Sequence, residues 1–189
     1  MDPRTLLDRL ITYERRVHRL YLALGDRADF PAELRSLWNT LAEDERHHLA
    51  ILERSAGLLD VMDSPPVVSE EILAEIEAKV ATAEEALQRA DLGTDEALCQ
   101  ALILEGSELN SLDEAWFHGF RPALGGLLRA MIPTEDTHIR RLVEGVHTFS
   151  LNKALPPPSR GSLGDVSKRE TAHHQRHHVS LTKREENRL

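Results

Sequence analysis

Residues 41–53 read Leu41-Ala42-Glu43-Asp44-Glu45-Arg46-His47-His48-Leu49-Ala50-Ile51-Leu52-Glu53, and this stretch decides the fold. Followed outward, the apolar residues step by three and four, from Leu34, Trp38 and Leu41 to Leu52 and Leu59. Such spacing places them on one face of an α-helix, because residues three and four apart stack at 3.6 residues per turn. Glu45 and His48 fall on that face, at positions the pattern otherwise gives to core side chains.

Three more segments carry the same interruption. The stripe Leu124, Leu128, Met131, Glu135, His138, Leu142, Phe149 repeats it at the same phase. Another stripe, Leu10, Glu14, Val17, Tyr21, Leu24, points Glu14 inward, and Leu98, Ala101, Glu105, Glu108, Leu112, Ala115 points two carboxylates inward. A further Glu-x-x-His pair, Glu144 and His147, falls one position off the stripe and reads as solvated. Glu14 precedes Glu45 by 31 residues and Glu105 precedes Glu135 by 30, as if one helix pair had been used twice.

An isolated ionised carboxylate in an apolar core costs several kcal/mol unless it is paired, protonated or bound to a cation. Several inward glutamates with two histidines therefore predict a buried metal site, with Glu14, Glu45, His48, Glu105, Glu135 and His138 as the ligands. Mixed carboxylate and imidazole donors favour iron or manganese over calcium or magnesium. Four glutamates balance the charge of two divalent ions, which lets the reduced site sit in a dry core.

Composition supports one helical domain. The 189 residues are 41% apolar but contain only four Phe, two Trp and two Tyr, and the segments are rich in Leu, Ala, Glu and Arg. No apolar run approaches the ~18 residues of a membrane span, and Met1-Asp2-Pro3-Arg4 lacks a signal-peptide pattern, so a cytoplasmic protein without a membrane partner is expected. Cys99 is the lone cysteine, which removes disulfide, thiolate-zinc and iron–sulfur or rubredoxin chemistry and makes any electron donor external. Of 32 acidic and 23 basic side chains, four acidic and eight basic lie beyond residue 150. The body is therefore strongly acidic, and nucleic acid is not an expected partner.

Helix punctuation sets the boundaries. Helices are predicted from Pro3 to Leu24, from Pro31 to about Leu59, from Ser69 to about Ala90, from Thr94 to Phe117 and from Pro122 to Phe149. The 69–90 segment lacks inward ligand types and reads as a long crossover that covers the bundle. The expected domains are a bundle over residues 1–155 and a flexible Pro/Arg/His-rich tail over 156–189, opening at Pro156-Pro157-Pro158 and carrying His173, His174, His177 and His178.

The stretch 41–53, together with Ala97-Leu98 through Glu105 and Glu135-Asp136-Thr137-His138, resembles the rubrerythrin branch of the ferritin-like superfamily over about residues 1–150. The resemblance implies an antiparallel four-helix bundle whose long crossover carries an extra helix, with two iron ions in the core and manganese as the alternative. It implies that Glu45 and Glu135 bridge the ions, that Glu14 and Glu105 are terminal carboxylates, and that His48 and His138 supply one nitrogen each. Glu108 matches an extra carboxylate of rubrerythrins that takes part in a ligand exchange and is the candidate catalytic residue; its spacing fits an acid lining a channel equally well. Tyr13, Tyr21 and Trp38 read as packing, with a tyrosine hydrogen bond to a terminal carboxylate as the alternative, and His18 and His47 read as surface residues.

The activity implied is that of a di-iron oxidoreductase, oxidising Fe(II) or an external donor with hydrogen peroxide or dioxygen. The oligomer implied is a homodimer. Gly161-Ser162-Leu163-Gly164 resembles the targeting peptide that loads cargo into encapsulin shells, around residues 161–168, although Asp165-Val166-Ser167-Lys168 replaces a second apolar anchor and 21 residues follow. An encapsulin shell protein is thus an alternative partner and its interior an alternative location. Two further readings remain: an iron-storage cargo protein of such a shell, and a bundle that metal merely stabilises.

Overall fold

The computed structural model describes residues 1–64, 66–107, 112, 115–130 and 135–150, except for the side chains of 135 and 136. All regular structure among them is helical apart from one isolated bridge between Met62 and Phe120. The elements are α1 (Pro3–Gly25), α2 (Ala32–Ser55), a 3-10 turn (Ala56–Val61), α3 (Glu70–Leu87), α4 (Thr94–Glu105), α5 (Pro122–Ala130) and α6 (Glu135–Phe149). They belong to one compact unit, Met1–Leu151. The expected boundary at 155, the tail from 156 and the 161–168 stretch lie outside the described residues.

Local chemistry starts each helix where the punctuation placed it. The Asp2 carboxylate accepts the Thr5 amide hydrogen bond at 3.0 Å and Pro3 occupies the first turn, where its missing N–H is harmless. Ser69 Oγ caps α3 by accepting from the Ile72 amide. One predicted helix is interrupted. The segment expected from 94 to 117 stops at Glu105, because Gly106 and Ser107 follow, a low-propensity pair whose amides close onto Leu102 and Leu104; residues 115–118 are helical again. Of the segment expected from 122 to 149, α5 and α6 are described and residues 131–134 lie outside the described residues.

Contacts fix the helix directions. Arg4 reaches the Ala56 carbonyl, Arg15 pairs with Glu53, and the Tyr21 ring stacks on Trp38 at 6.0 Å, so α1 and α2 are antiparallel. Glu105 meets His138, while a Cβ built on Gly145 would come within 3.2 Å of Leu98 Cδ2 and 2.8 Å of Leu37 Cδ2. Those contacts run α6 antiparallel to both α4 and α2, and at Gly145 the leucine side chains of both neighbours come close to the α6 backbone. Hence α2 and α4 are parallel, which requires a long connection between them, and α3 is that connection.

The crossover helix runs parallel to α1. Arg9 pairs with Glu70, and Arg16 pairs with both Glu77 and Glu84. It buries Leu73, Ile76, Val80, Ala83 and Ala86 and contributes no ligand candidate, as expected for a cover. These pairs set register, and the exposed Arg9–Glu70 pair adds little stability. The stabilising term is the apolar core, in which Leu7, Leu10, Leu34, Trp38, Leu41, Leu52, Leu98 and Leu142 are fully enclosed. Each such side chain contributes roughly 1.5–3 kcal/mol relative to exposure.

Candidate metal centre

Five of the six expected ligands come together inside this core. Glu14 on α1, Glu45 and His48 on α2, Glu105 at the end of α4 and His138 on α6 are all buried. They form two triads that could each hold a metal ion, Glu14–Glu45–His48 and Glu45–Glu105–His138. Glu45 belongs to both: its Oε2 lies 3.2 Å from His48 Nδ1 and its Oε1 lies 3.5 Å from His138 Nδ1. Glu14 Oε2 stands 3.7 Å from His48 Nδ1, and Glu105 Oε2 stands 3.1 Å from His138 Nδ1. The two imidazole rings stack at 5.4 Å between centroids.

The sixth expected ligand, Glu135, begins α6, but its side chain lies outside the described residues, as does all of Glu108. Glu144 and His147 are exposed, in keeping with their place off the stripe; His47 is exposed and His18 half-buried. Trp38 and Tyr13 are core residues, and the Tyr13 hydroxyl donates to the Leu73 carbonyl at 3.3 Å. Tyr21 goes beyond packing, since its hydroxyl donates to Glu105 Oε1 at 2.5 Å.

Without a cation the buried carboxylates must hold protons or charged partners. Burial, reinforced by the neighbouring Glu45 carboxylate, pushes the Glu14 carboxyl up to about 8. Burial opposes charge on His48, but the Glu14 and Glu45 carboxylates outweigh it and hold the imidazolium up to about 12. Burial, with Glu105 beside it, raises the Tyr21 phenol well above its ordinary value.

These donors suit a metal ion. Buried polar atoms are normally hydrogen-bonded, yet Glu14 Oε2, both nitrogens of His48 and Nε2 of His138 make no aligned hydrogen bond. Nitrogen and oxygen atoms crowd to between 3.2 and 3.7 Å around His48 while their lone pairs miss one another. Donor atoms that gather without pairing are disposed toward shared points, and carboxylate with imidazole is a set for iron, manganese or zinc.

Sequence reasoning missed Asp44 and Arg141. Asp44 is nearly buried; its Oδ2 lies 3.2 Å from His138 Nε2 and accepts a short hydrogen bond from Arg141 Nη1. Asp44 is one residue before Glu45, roughly 100° round the helix from the ligand face, so the apolar stripe does not include it. The available signal was Arg141, three residues after His138 and thus on nearly the same face. An open groove of about 540 Å³, lined in part by Arg35, Asn39 and Glu43, brings solvent up to Asp44.

Comparison with protein-family models, with curated proteins and with solved structures returns no match.

Proposed function

We propose that the chain is a ferritin-like di-iron oxidoreductase of rubrerythrin type, in which Fe(II) or an external donor is oxidised by hydrogen peroxide or dioxygen. The observation that carries the reading is the sharing of Glu45 between two buried triads, one carboxylate oxygen turned toward each histidine. The helix directions, with α1 and α6 opposed to α2 and α4 and a crossover helix between α2 and α4, support a ferritin-like bundle.

In this reading Glu14, Glu45, His48, Glu105 and His138 would hold the ions, with Nδ1 of each histidine turned to the site, Glu45 shared between the two positions and Glu135 a further shared ligand by resemblance. A pair of Fe(II) ions, when bound, would supply one electron each to hydrogen peroxide or dioxygen. The chain's own part is to keep water out and to place protons. Leu10, Val17, Leu41, Leu52 and Leu142 enclose the ligand stripes, and the Tyr21 hydroxyl keeps its proton directed at Glu105 Oε1. Glu108 remains the proposed mobile carboxylate. An encapsulin shell is proposed as an alternative setting through residues 161–168, and a homodimer as the assembly.

A second reading, in which metal only stabilises the fold, draws on the same burial, for no ligand residue in either triad is more than 4% exposed. One experiment separates the two: load the protein with Fe(II) anaerobically, count the metal, add peroxide and follow the optical spectrum. Two irons per chain with rapid oxidation support the oxidoreductase. Iron that binds and stays reduced supports the structural reading, and absence of binding overturns both. Among the described residues no helix is long and apolar enough to cross a membrane.

A further inference from the structure

Resting on the metal reading, we infer that the two positions are unequal: Glu45–Glu105–His138 takes the first cation, and Glu14–Glu45–His48 fills second and exchanges. The donors do not rank the positions, since each has two carboxylates and one imidazole, with Glu45 common to both. The surroundings of the donors do.

At the first-filled position a carboxylate stands beside the outer nitrogen of the imidazole, close though not aligned, and a phenol donates to the terminal carboxylate. His138 turns Nδ1 toward Glu105 and Glu45 and leaves Nε2 3.2 Å from Asp44 Oδ2, which Arg141 holds from the other side. When Nδ1 gives its lone pair to a cation, the ring proton resides on Nε2, and Asp44 lies within reach to accept it. A carboxylate on the outer nitrogen fixes the tautomer and raises the basicity of the inner one. Glu105 is held as well, by the Tyr21 hydroxyl at 2.5 Å.

At the other position the described residues supply no such support. His48 presents Nδ1 to Glu45 and Glu14, and its buried Nε2 has no hydrogen-bond partner among the described residues. Coordination through Nδ1 therefore commits a proton to Nε2 in an apolar interior with no acceptor, a cost that the bound state keeps. Glu14 Oε2 is likewise without a hydrogen bond. A cation there meets ligands that must be ordered at the moment of binding, whereas the Asp44-braced position is preorganised.

The test uses the full chain and Mn(II). Crystals grown with one equivalent of Mn(II) should show anomalous density among Glu45, Glu105 and His138; density among Glu14, Glu45 and His48, or equal density at both, overturns the ranking. In stepwise titration followed by Mn(II) electron paramagnetic resonance, Asp44→Asn should weaken the first step about 10–100-fold, the usual loss for such a partner, and leave the second within about twofold. Equal weakening of both steps overturns the positioning role of Asp44. Should Asp44→Asn fail to fold, Tyr21→Phe carries the same test, with the first step weakened more than the second. Absence of any Mn(II) or Fe(II) uptake by the unaltered chain defeats the metal reading itself, an outcome distinct from uptake in the wrong order.

Discussion

His48 and His138 lie face to face, with ring centroids 5.4 Å apart and planes 22° from parallel, and each directs Nδ1 at a different oxygen of Glu45. That relationship makes Glu45 the one residue both triads depend on. Glu45→Ala should therefore lose both ions together, which metal analysis of the purified variant would show as a fall from two per chain to near zero. The same outcome is expected for Glu135→Ala from its place on the stripe. Retention of two ions by either variant removes that residue from the bridge.

Terminal ligands should act singly. Glu14→Ala is expected to drop the metal count from two to one, because Glu105, His138 and Glu45 are left intact. Glu108→Ala should slow or alter iron oxidation with little loss of iron. A Glu108→Ala protein that is empty, beside a Glu105→Ala protein that is full, would reverse the assignment of ligand between the two.

Stability of the metal-free protein should fall as pH rises. The Glu14 carboxyl is raised from 4.5 to about 8 and the His48 imidazolium from 6.5 to about 12, so the native state holds protons that the unfolded chain has released. A raised folded-state pKa gives stability that is complete below the unfolded value and lost as pH climbs to the folded one. Glu14 thus loses its contribution between about 4.5 and 8, and His48 between about 6.5 and 12. Thermal melts without metal should show a higher Tm at pH 5 than at pH 8. Mn(II) should raise Tm more at pH 8, where protons compete less for Glu14 than at pH 5. A flat profile, or equal stabilisation by metal at both pH values, contradicts convergence of these groups.

A last prediction concerns the break after α4. Trp116 is fully buried and its Nε1–H donates to Ser55 Oγ at 3.0 Å, tying the segment beyond Gly106 to the end of α2. Ser55→Ala strands that indole N–H and should cost about 1–3 kcal/mol in denaturant unfolding of the metal-free chain. Metal count should stay at two, since neither residue belongs to a triad. A loss below about 0.5 kcal/mol would mean that water replaces the hydroxyl.

The sequence by itself determined that the described residues are helical and that five Glu and His side chains turn into the core, because helical periodicity specifies which face a residue takes and an acid on an apolar face demands a counter-charge. Glu14, Glu45, His48, Glu105 and His138 were legible for that reason. Periodicity carries no information on what lies across from a face. Only the tertiary structure decided that Glu45 faces both histidines, that Tyr21 hydrogen-bonds Glu105, and that Asp44, which lies off the stripe, stands behind His138 with Arg141. Apart from Glu45–His48, which lies within α2, these pairings join different helices, and their distances follow from how α1, α2, α4 and α6 pack.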